Sequence, residues 1–237
     1  MTLRFAQRLL MAAIAAFAGF ALVAASPPAK PAARPVAARQ NWNATITRTA
    51  EGHLLGNPAA AVKLVEFISY TCPHCAHYAE ESKAALLPGL VRQGKVAIEV
   101  RPFFRNIVDV SASLLALCGP DSKFAGNHHA IMAAQPRWLK NPPEGAQERW
   151  STPDFGAKMK AVAKDMGLYT LMTGRGYTPA QLDQCLANRP LADRLAAQTN
   201  AATEGGVTGT PSFLINGKLQ DAHEWSALQP YLAAAAR

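Results

Sequence analysis

Two cysteines three positions apart, in the run Cys72-Pro73-His74-Cys75, are the residues of this sequence best spaced to do chemistry. Thiols at that spacing can open and close a disulfide between themselves, and so exchange electrons with another dithiol. A helix starting at Pro73 would put both sulfurs on one face, Cys72 beside the unpaired N–H groups and positive dipole end, Cys75 one turn deeper. Cys72 is then expected to be the exposed, activated thiol, and Cys75 the thiol that attacks a mixed disulfide formed there. Only the reduced state contains a thiolate, so whatever stabilises that anion makes the disulfide a stronger oxidant. Active-site dithiols span ~150 mV, ~7 kcal/mol for two electrons, whereas a helix terminus supplies only ~0.3–2 kcal/mol. Local donors must supply the rest. His74 is the expected one, bonding the thiolate or, when protonated, offsetting its charge.

The elements that must position these thiols are legible on either side. Residues 62–69, VKLVEFIS, are apolar on both alternating faces except at Lys63 and Glu66, the pattern of a central strand covered on both sides. Glu66 shares a face with Val62, Leu64 and Ile68. It is expected to point into apolar surroundings beneath the cysteines, where burial raises its pKa and lets it accept the proton of Cys75; the alternative is a strand-edge Glu reaching solvent. A helical pattern follows the cysteines and ends near Gly94, and Val96 to Phe104 reads as the next strand. Strand, helix and strand in so short a span predict a βαβ unit with parallel strands. Upstream, alternation around Ala44 and Ile46 suggests a first short strand.

From Asn106 to Ala202 the pattern is helical throughout, with Ser151 and Thr178 as expected N-caps, Pro179 and Pro190 in first turns, and Gly119 and Gly167 as stops. Beyond it, Asn216-Gly217 predicts a tight hairpin, and a last helix runs from about Glu224 to Ala235 with Pro230 in it. Cys118 and Cys185 both fall in expected helices. They either pair as a second, structural disulfide or remain free as small buried hydrophobes.

Residues 9–25 are uncharged and mostly apolar behind Arg4 and Arg8 and end in small residues, the pattern of an export signal over 1–25; the alternative is an uncleaved membrane anchor. Residues 26–40 form a Pro/Ala-rich basic tether. The formal net charge is +8, but five of the 24 Lys and Arg precede residue 41 and none of the 16 Asp and Glu does, so the excess falls to +3 beyond it. That argues against a nucleic-acid partner. With 49% hydrophobic residues, disorder of the whole chain is excluded. A zinc site at Cys72, Cys75, His74 and His77 lacks a second ligand pair, so neither metal nor other cofactor is expected.

CPHC after EFISYT, then a helical insertion, then GVTGTPSFLINGK, resembles the DsbA-like thiol:disulfide oxidoreductases of the thioredoxin superfamily, over about residues 42–237. The resemblance implies an α/β thioredoxin fold with an inserted all-helical domain: the thioredoxin domain over 41–105 and 203–237, the insertion over 106–202. By position, Cys72 looks like the nucleophile, Cys75 the resolving thiol, Pro73-His74 the potential-setting dipeptide and Glu66 the buried acid. Gly209-Thr210-Pro211 looks like a cis-proline loop that presents backbone to an extended substrate segment. Some members of the family have a second disulfide, as Cys118 and Cys185 would make. The resemblance further implies a monomer in the periplasm, reduced or misfolded secreted proteins as substrates, and a DsbB-like membrane quinone reductase for reoxidation. One departure bears on direction. The residue before the family's cis-proline is often Val in strong oxidases and Thr in isomerases and reductases, and this chain has Thr210. Oxidase is the first reading; isomerase, reductase and a non-enzymatic peptide-binding chaperone are the alternatives.

Overall fold

The computed structural model describes residues 41–237, so the expected signal peptide over 1–25 and tether over 26–40 lie outside the described residues. A 3-10 turn at Trp42–Ala44 leads into β1 (Ile46–Arg48), β2 (His53–Leu55), β3 (Val62–Ile68), α1 (Pro73–Leu86, continued by a π-helical turn at Leu87–Val91) and β4 (Val96–Pro102). Helices follow without an intervening strand: α2 (Ile107–Ala116), α3 (Phe124–Ala133), α4 (Gln135–Trp138), α5 (Ala146–Trp150), α6 (Phe155–Asp165), α7 (Leu168–Thr173), α8 (Pro179–Leu186) and α9 (Arg189–Glu204). The chain then returns to the sheet as β5 (Ser212–Ile215) and β6 (Lys218–Leu219) and ends in α10 (Trp225–Ala235).

The sheet order is β1-β2-β4-β3-β5-β6, with β3 and β4 parallel and every other pair antiparallel. Strand β3 is therefore interior, as its apolar run requires. On one face Val62, Leu64 and Ile68 join the core with Tyr78 and Leu86 of α1. On the other, Val65 and Phe67 pack with Phe103, Ala202 of α9 and Val207. Each such burial is worth ~1.5–3 kcal/mol, so β3 is fixed from both faces and the cysteines that follow it inherit a rigid base. The hairpin after the insertion depends on two positive φ angles, 49° at Asn216 and 81° at Gly217, which those residue types tolerate best.

Two local expectations need correction, and one strand was not expected at all. The strand expected around Ala44 starts only at Ile46, because Asn41 Oδ1 accepts from the Asn43 N–H at 3.2 Å and closes a turn there instead. Strand β2 carries too few residues to show a period, and it needs Gly52: a Cβ there would lie 2.0 Å from the Val100 carbonyl oxygen. Ser151 does not cap a helix start. It ends α5, with its hydroxyl donating to Gln147 O at 2.6 Å, and Asp154 caps α6 by accepting from the Ala157 N–H at 2.6 Å. Thr178 does cap α8, in a reciprocal capping box with Gln181.

Cys118, just past α2, and Cys185 in α8 are joined by a disulfide. It closes a loop of 67 positions across the helical segment. Replacing both cysteines by Ala is expected to lower unfolding stability by ~2–4 kcal/mol, read as a lower denaturant midpoint. An unchanged midpoint would mean that this bond does not restrain the unfolded chain.

Candidate active site

Helix α1 starts at Pro73 because proline fixes a helical φ and lacks the N–H that a first turn would leave unpaired. Cys72 is its N-cap residue, in extended conformation (φ −94°, ψ 116°), with a side chain that makes no capping bond to the backbone. Its sulfur is thus left for other partners. Cys75 follows at the third helical position, and both thiols are free. The two thiols are close enough to shift each other's acidity.

Cys72 is not the exposed thiol that the sequence suggested: its residue exposure is 3%. It is covered by the loop before β5, where the Thr210-Pro211 peptide bond is cis and the Cys72 thiol donates to the Thr210 carbonyl at 3.2 Å. His223 pins that loop. Its Nδ1 lies 2.9 Å from the Pro211 carbonyl, which can only accept, so Nδ1 carries the proton. Ser212 Oγ donates to Gly209 O at 2.8 Å and fixes the loop's other end.

The Cys72 pKa is pulled down to about 5, most strongly by the Cys75 thiol as donor, against the opposing effect of burial; the Thr210 hydroxyl and the N–H groups of Cys75 and His74 add to it. The role expected of the His74 ring is corrected here. His74 is exposed, and what it offers the sulfur is its backbone N–H rather than its imidazole. The reason is geometric: at the second position of a helix the N–H points back toward the cap while the side chain projects outward. Cys75 is shifted the other way, well above its ordinary value, first by burial and then by donating to the Cys72 sulfur.

Glu66 is buried at 5% exposure, opposite Val100 on β4 and Phe213 on β5. Burial raises its pKa to about 7, partly offset by the Tyr78 hydroxyl, which donates to Glu66 Oε1 at 2.5 Å. Tyr78 lies one turn after Cys75 and its own pKa is pushed up by burial, by Glu66 and by the charge of Cys75, so it stands near both. The direct partner of Glu66 is therefore Tyr78 rather than Cys75. The carboxyl also lines a cavity of about 280 Å³ between α1, α3 and the sheet.

Sequence reasoning missed the groups that hold the turn before Cys72. Asp109, fully buried in α2, accepts at Oδ1 from the Thr71 N–H (2.9 Å) and Ser69 Oγ (2.9 Å), and at Oδ2 from Thr71 Oγ1 (3.1 Å) and the Arg105 N–H (2.9 Å). Gln135 at the start of α4 donates Nε2 to the carbonyls of Tyr70 (2.8 Å) and Cys72 (2.9 Å). An acid inside the otherwise apolar and small run VDVSASLLA is an available signal for Asp109; nothing in the sequence marks Gln135 or His223. The other histidines do not gather at the thiols: His77 is exposed beside Glu81, and His128 is half-buried, with Nδ1 3.0 Å from the Tyr70 hydroxyl. Among the described residues no cluster of side chains could hold a metal ion, and no helix is long and apolar enough to cross a membrane.

The shifted thiol makes stability depend on redox state and pH. A folded-state pKa near 5, below the ordinary value of 9.0, stabilises the reduced fold fully at high pH, and the benefit is lost as pH falls through about 5. Raised Cys75 subtracts only above its ordinary value, and Glu66 is common to both redox forms. The melting temperature of the reduced protein minus that of the oxidised protein is therefore expected to widen between pH 5 and pH 8. A pH-independent difference would contradict an acidic Cys72.

The comparisons with known proteins agree with this geometry. A family model described as Thioredoxin matches residues 48–234. A crystal structure described as a protein-disulfide isomerase from Novosphingobium aromaticivorans is 44% identical, covers 80% of this chain and all of that one, and superposes with a TM-score of 0.75. A Rickettsia typhi protein named "Putative protein-disulfide oxidoreductase" is 31% identical over 166 residues, 69% of this chain; the chain spans about half the length of such curated relatives. The thiol:disulfide interchange protein DsbA of Haemophilus influenzae is 25% identical over 164 residues, 67% of each chain. Since the matched region holds strands β2 to β6, both free cysteines and the cis-proline loop, the chain belongs to the thioredoxin family.

Proposed function

We propose that this protein is an exported thiol:disulfide oxidoreductase that passes its Cys72–Cys75 disulfide to reduced substrate proteins. The observation that carries the reading is the opposed displacement of two adjacent thiols, Cys72 down to about 5 and Cys75 up. That split makes Cys72 the better leaving group and the sulfur that ends as an anion, so the dithiol is favoured over the disulfide.

In this scheme a substrate thiolate attacks Cys72, forming a substrate–Cys72 disulfide and expelling Cys75 as a thiolate. Cys75 then takes up a proton, for which Glu66, titrating near 7 beside Tyr78, is the buried source. A second substrate thiolate attacks the first substrate sulfur and expels Cys72 as a thiolate, leaving an oxidised substrate and a reduced enzyme. Pro73 starts the helix, the His74 N–H supports the anion, and the backbone of Gly209, Thr210 and Pro211 offers an extended substrate edge pairing. Reoxidation reverses the electron flow through a membrane quinone reductase of the DsbB type, with Glu66 accepting the Cys75 proton. The leader pattern over 1–25 supports a periplasmic location, the second disulfide suits that oxidising compartment, and we treat the protein as a monomer without cofactor, its fold split by a helical insertion over 106–202.

Isomerase is the second reading, favoured by the isomerase description of the Novosphingobium structure and by Thr210. Equilibration of the Cys72–Cys75 pair with glutathione separates the two: an oxidase holds a potential well above that of thioredoxin and oxidises a dithiol peptide stoichiometrically. A thioredoxin-like potential would overturn the donor role. Cys72→Ser is expected to abolish exchange, and Cys75→Ser to accumulate mixed disulfides on Cys72.

Glu66→Gln tests the buried acid. The rate of reoxidation should rise with pH through an inflection near 7 in the parent, where the carboxyl becomes able to accept a proton, and lose that inflection in the variant. An inflection that survives in Glu66→Gln assigns it to another group.

A further inference from the structure

The turn that carries Cys72 has few bonds of its own. Between the end of β3 and the start of α1, the Cys72 N–H reaches Ser69 O and the Thr71 N–H reaches Ser69 Oγ, both at a long 3.2 Å, and shorter bonds to residues 69–72 come from the helical segment. There Asp109 takes the Thr71 N–H and the hydroxyls of Ser69 and Thr71, while Asn106 Nδ2 donates to Thr71 Oγ1 at 2.9 Å and Asn106 Oδ1 caps α2. From the opposite direction Gln135, 3% exposed, takes the carbonyls of Tyr70 and Cys72 with one amide nitrogen.

We propose that Asp109 and Gln135 are positioning residues that set the acidity of Cys72, so that the helical segment tunes the thiol as well as covering it. The proposal rests on the reading of Cys72 as the reactive thiol. Three physical points carry it. The bonds that Asp109 and Gln135 make to residues 69–72 are all buried, so none is interchangeable with water at no cost; leaving a buried partner unmade costs ~1–3 kcal/mol. The bonds act on the residue before Cys72 and on its own carbonyl, and so fix the extended conformation in which Cys72 caps α1 and holds its sulfur at the helix start. Finally, the Gln135 amide sits against the negative end of the Cys72 carbonyl dipole, which otherwise opposes an anion on the same residue. Neither side chain touches the sulfur, and Asp109 as a charge would make the thiol less acidic. Its contribution is geometric.

That opposition makes the test decisive. The thiolate absorbance of the reduced chain is titrated with pH in the parent, in Gln135→Met and in Asp109→Asn, with unfolding midpoints measured alongside. Gln135→Met changes no charge and removes both donors; the Cys72 midpoint is expected to rise by about one unit, a tenfold loss of thiolate below it. Asp109→Asn is expected to raise the midpoint too, because an amide cannot accept at both ends, whereas loss of charge alone would lower it. A merely structural role would lower the unfolding midpoint and leave the thiol titration where it was. If Asp109→Asn does not fold, Thr71→Val removes one hydroxyl from the same network and should move the titration in the same direction. An ordinary thiol midpoint in the parent overturns the functional reading together with this one. An acidic parent midpoint that folded Gln135→Met leaves in place or lowers overturns the positioning role alone.

Discussion

A single negative charge on a sulfur that is nearly closed to water is the constraint around which the site is built. Burial alone would push a thiol toward its neutral form, and burial does oppose ionisation of Cys72. The anion is favoured because groups near the sulfur offset that cost, the neighbouring Cys75 thiol most strongly, then the Thr210 hydroxyl and the N–H groups at the helix start. The dipole of α1 helps, but it would help any residue at that end. The number of donors held in fixed directions makes this end of this helix different, and fixed direction is what the rigid strand β3, the cis-proline loop and the first turns of α2 and α4 contribute.

The same column of side chains contains the opposite displacement. Glu66, Tyr78 and Cys75 are all shifted upward, each first by burial. Three acidic groups in one apolar space cannot all ionise, so the charge concentrates at Cys72, where donors are, and the protons concentrate on the others. Glu66 is the exception that remains near neutrality, because the Tyr78 hydroxyl offsets part of the cost. A carboxyl poised near 7 can both give and take a proton at small cost, the property a group must have to serve both directions of an exchange.

The elements with long periods were legible in the sequence. The buried run of β3, the helix after the cysteines, the parallel partner at β4, the helical segment and the Asn216-Gly217 hairpin each announce themselves by a pattern spanning several residues or by a dihedral that few residue types accept. Strands of three residues carry little period to read: β1 was legible only as a short alternation whose start was misplaced, and β2 not at all. The candidate site was legible where its groups are sequence neighbours, at Cys72 and Cys75, and at Glu66 because the run around it is apolar on both faces. It was illegible where a bond crosses from a distant segment. Gln135 and His223 reach the thiol loop from 63 and the cis-proline loop from 12 positions away, and their types are ordinary for surface residues. The errors over Cys72 exposure and the His74 ring share one cause: a local motif specifies a helix start but says nothing of what folds over it.

Thr210 shows how finely the balance between thiol and thiolate is set. Its carbonyl accepts from the Cys72 thiol at 3.2 Å, a bond available only to the protonated form. Its hydroxyl is buried without a partner, yet it lowers the pKa of both cysteines. One residue thus offers the neutral sulfur an acceptor and the charged sulfur a donor. The two do not cancel. A neutral S–H to carbonyl bond is weak, whereas a hydroxyl bonded to an anion is about twice as strong as a neutral pair, and the unmet hydroxyl of the thiol state carries its own cost of ~1–3 kcal/mol. Ionisation trades the weaker contact for the stronger and relieves the orphaned donor in the same step. A side chain of similar shape without the hydroxyl would keep the acceptor and lose the donor, moving the balance toward the neutral thiol. The Cys75 thiol remains the stronger influence on Cys72, and Thr210 adjusts the balance from both of its oxygens, the carbonyl on the side of the thiol and the hydroxyl on the side of the anion.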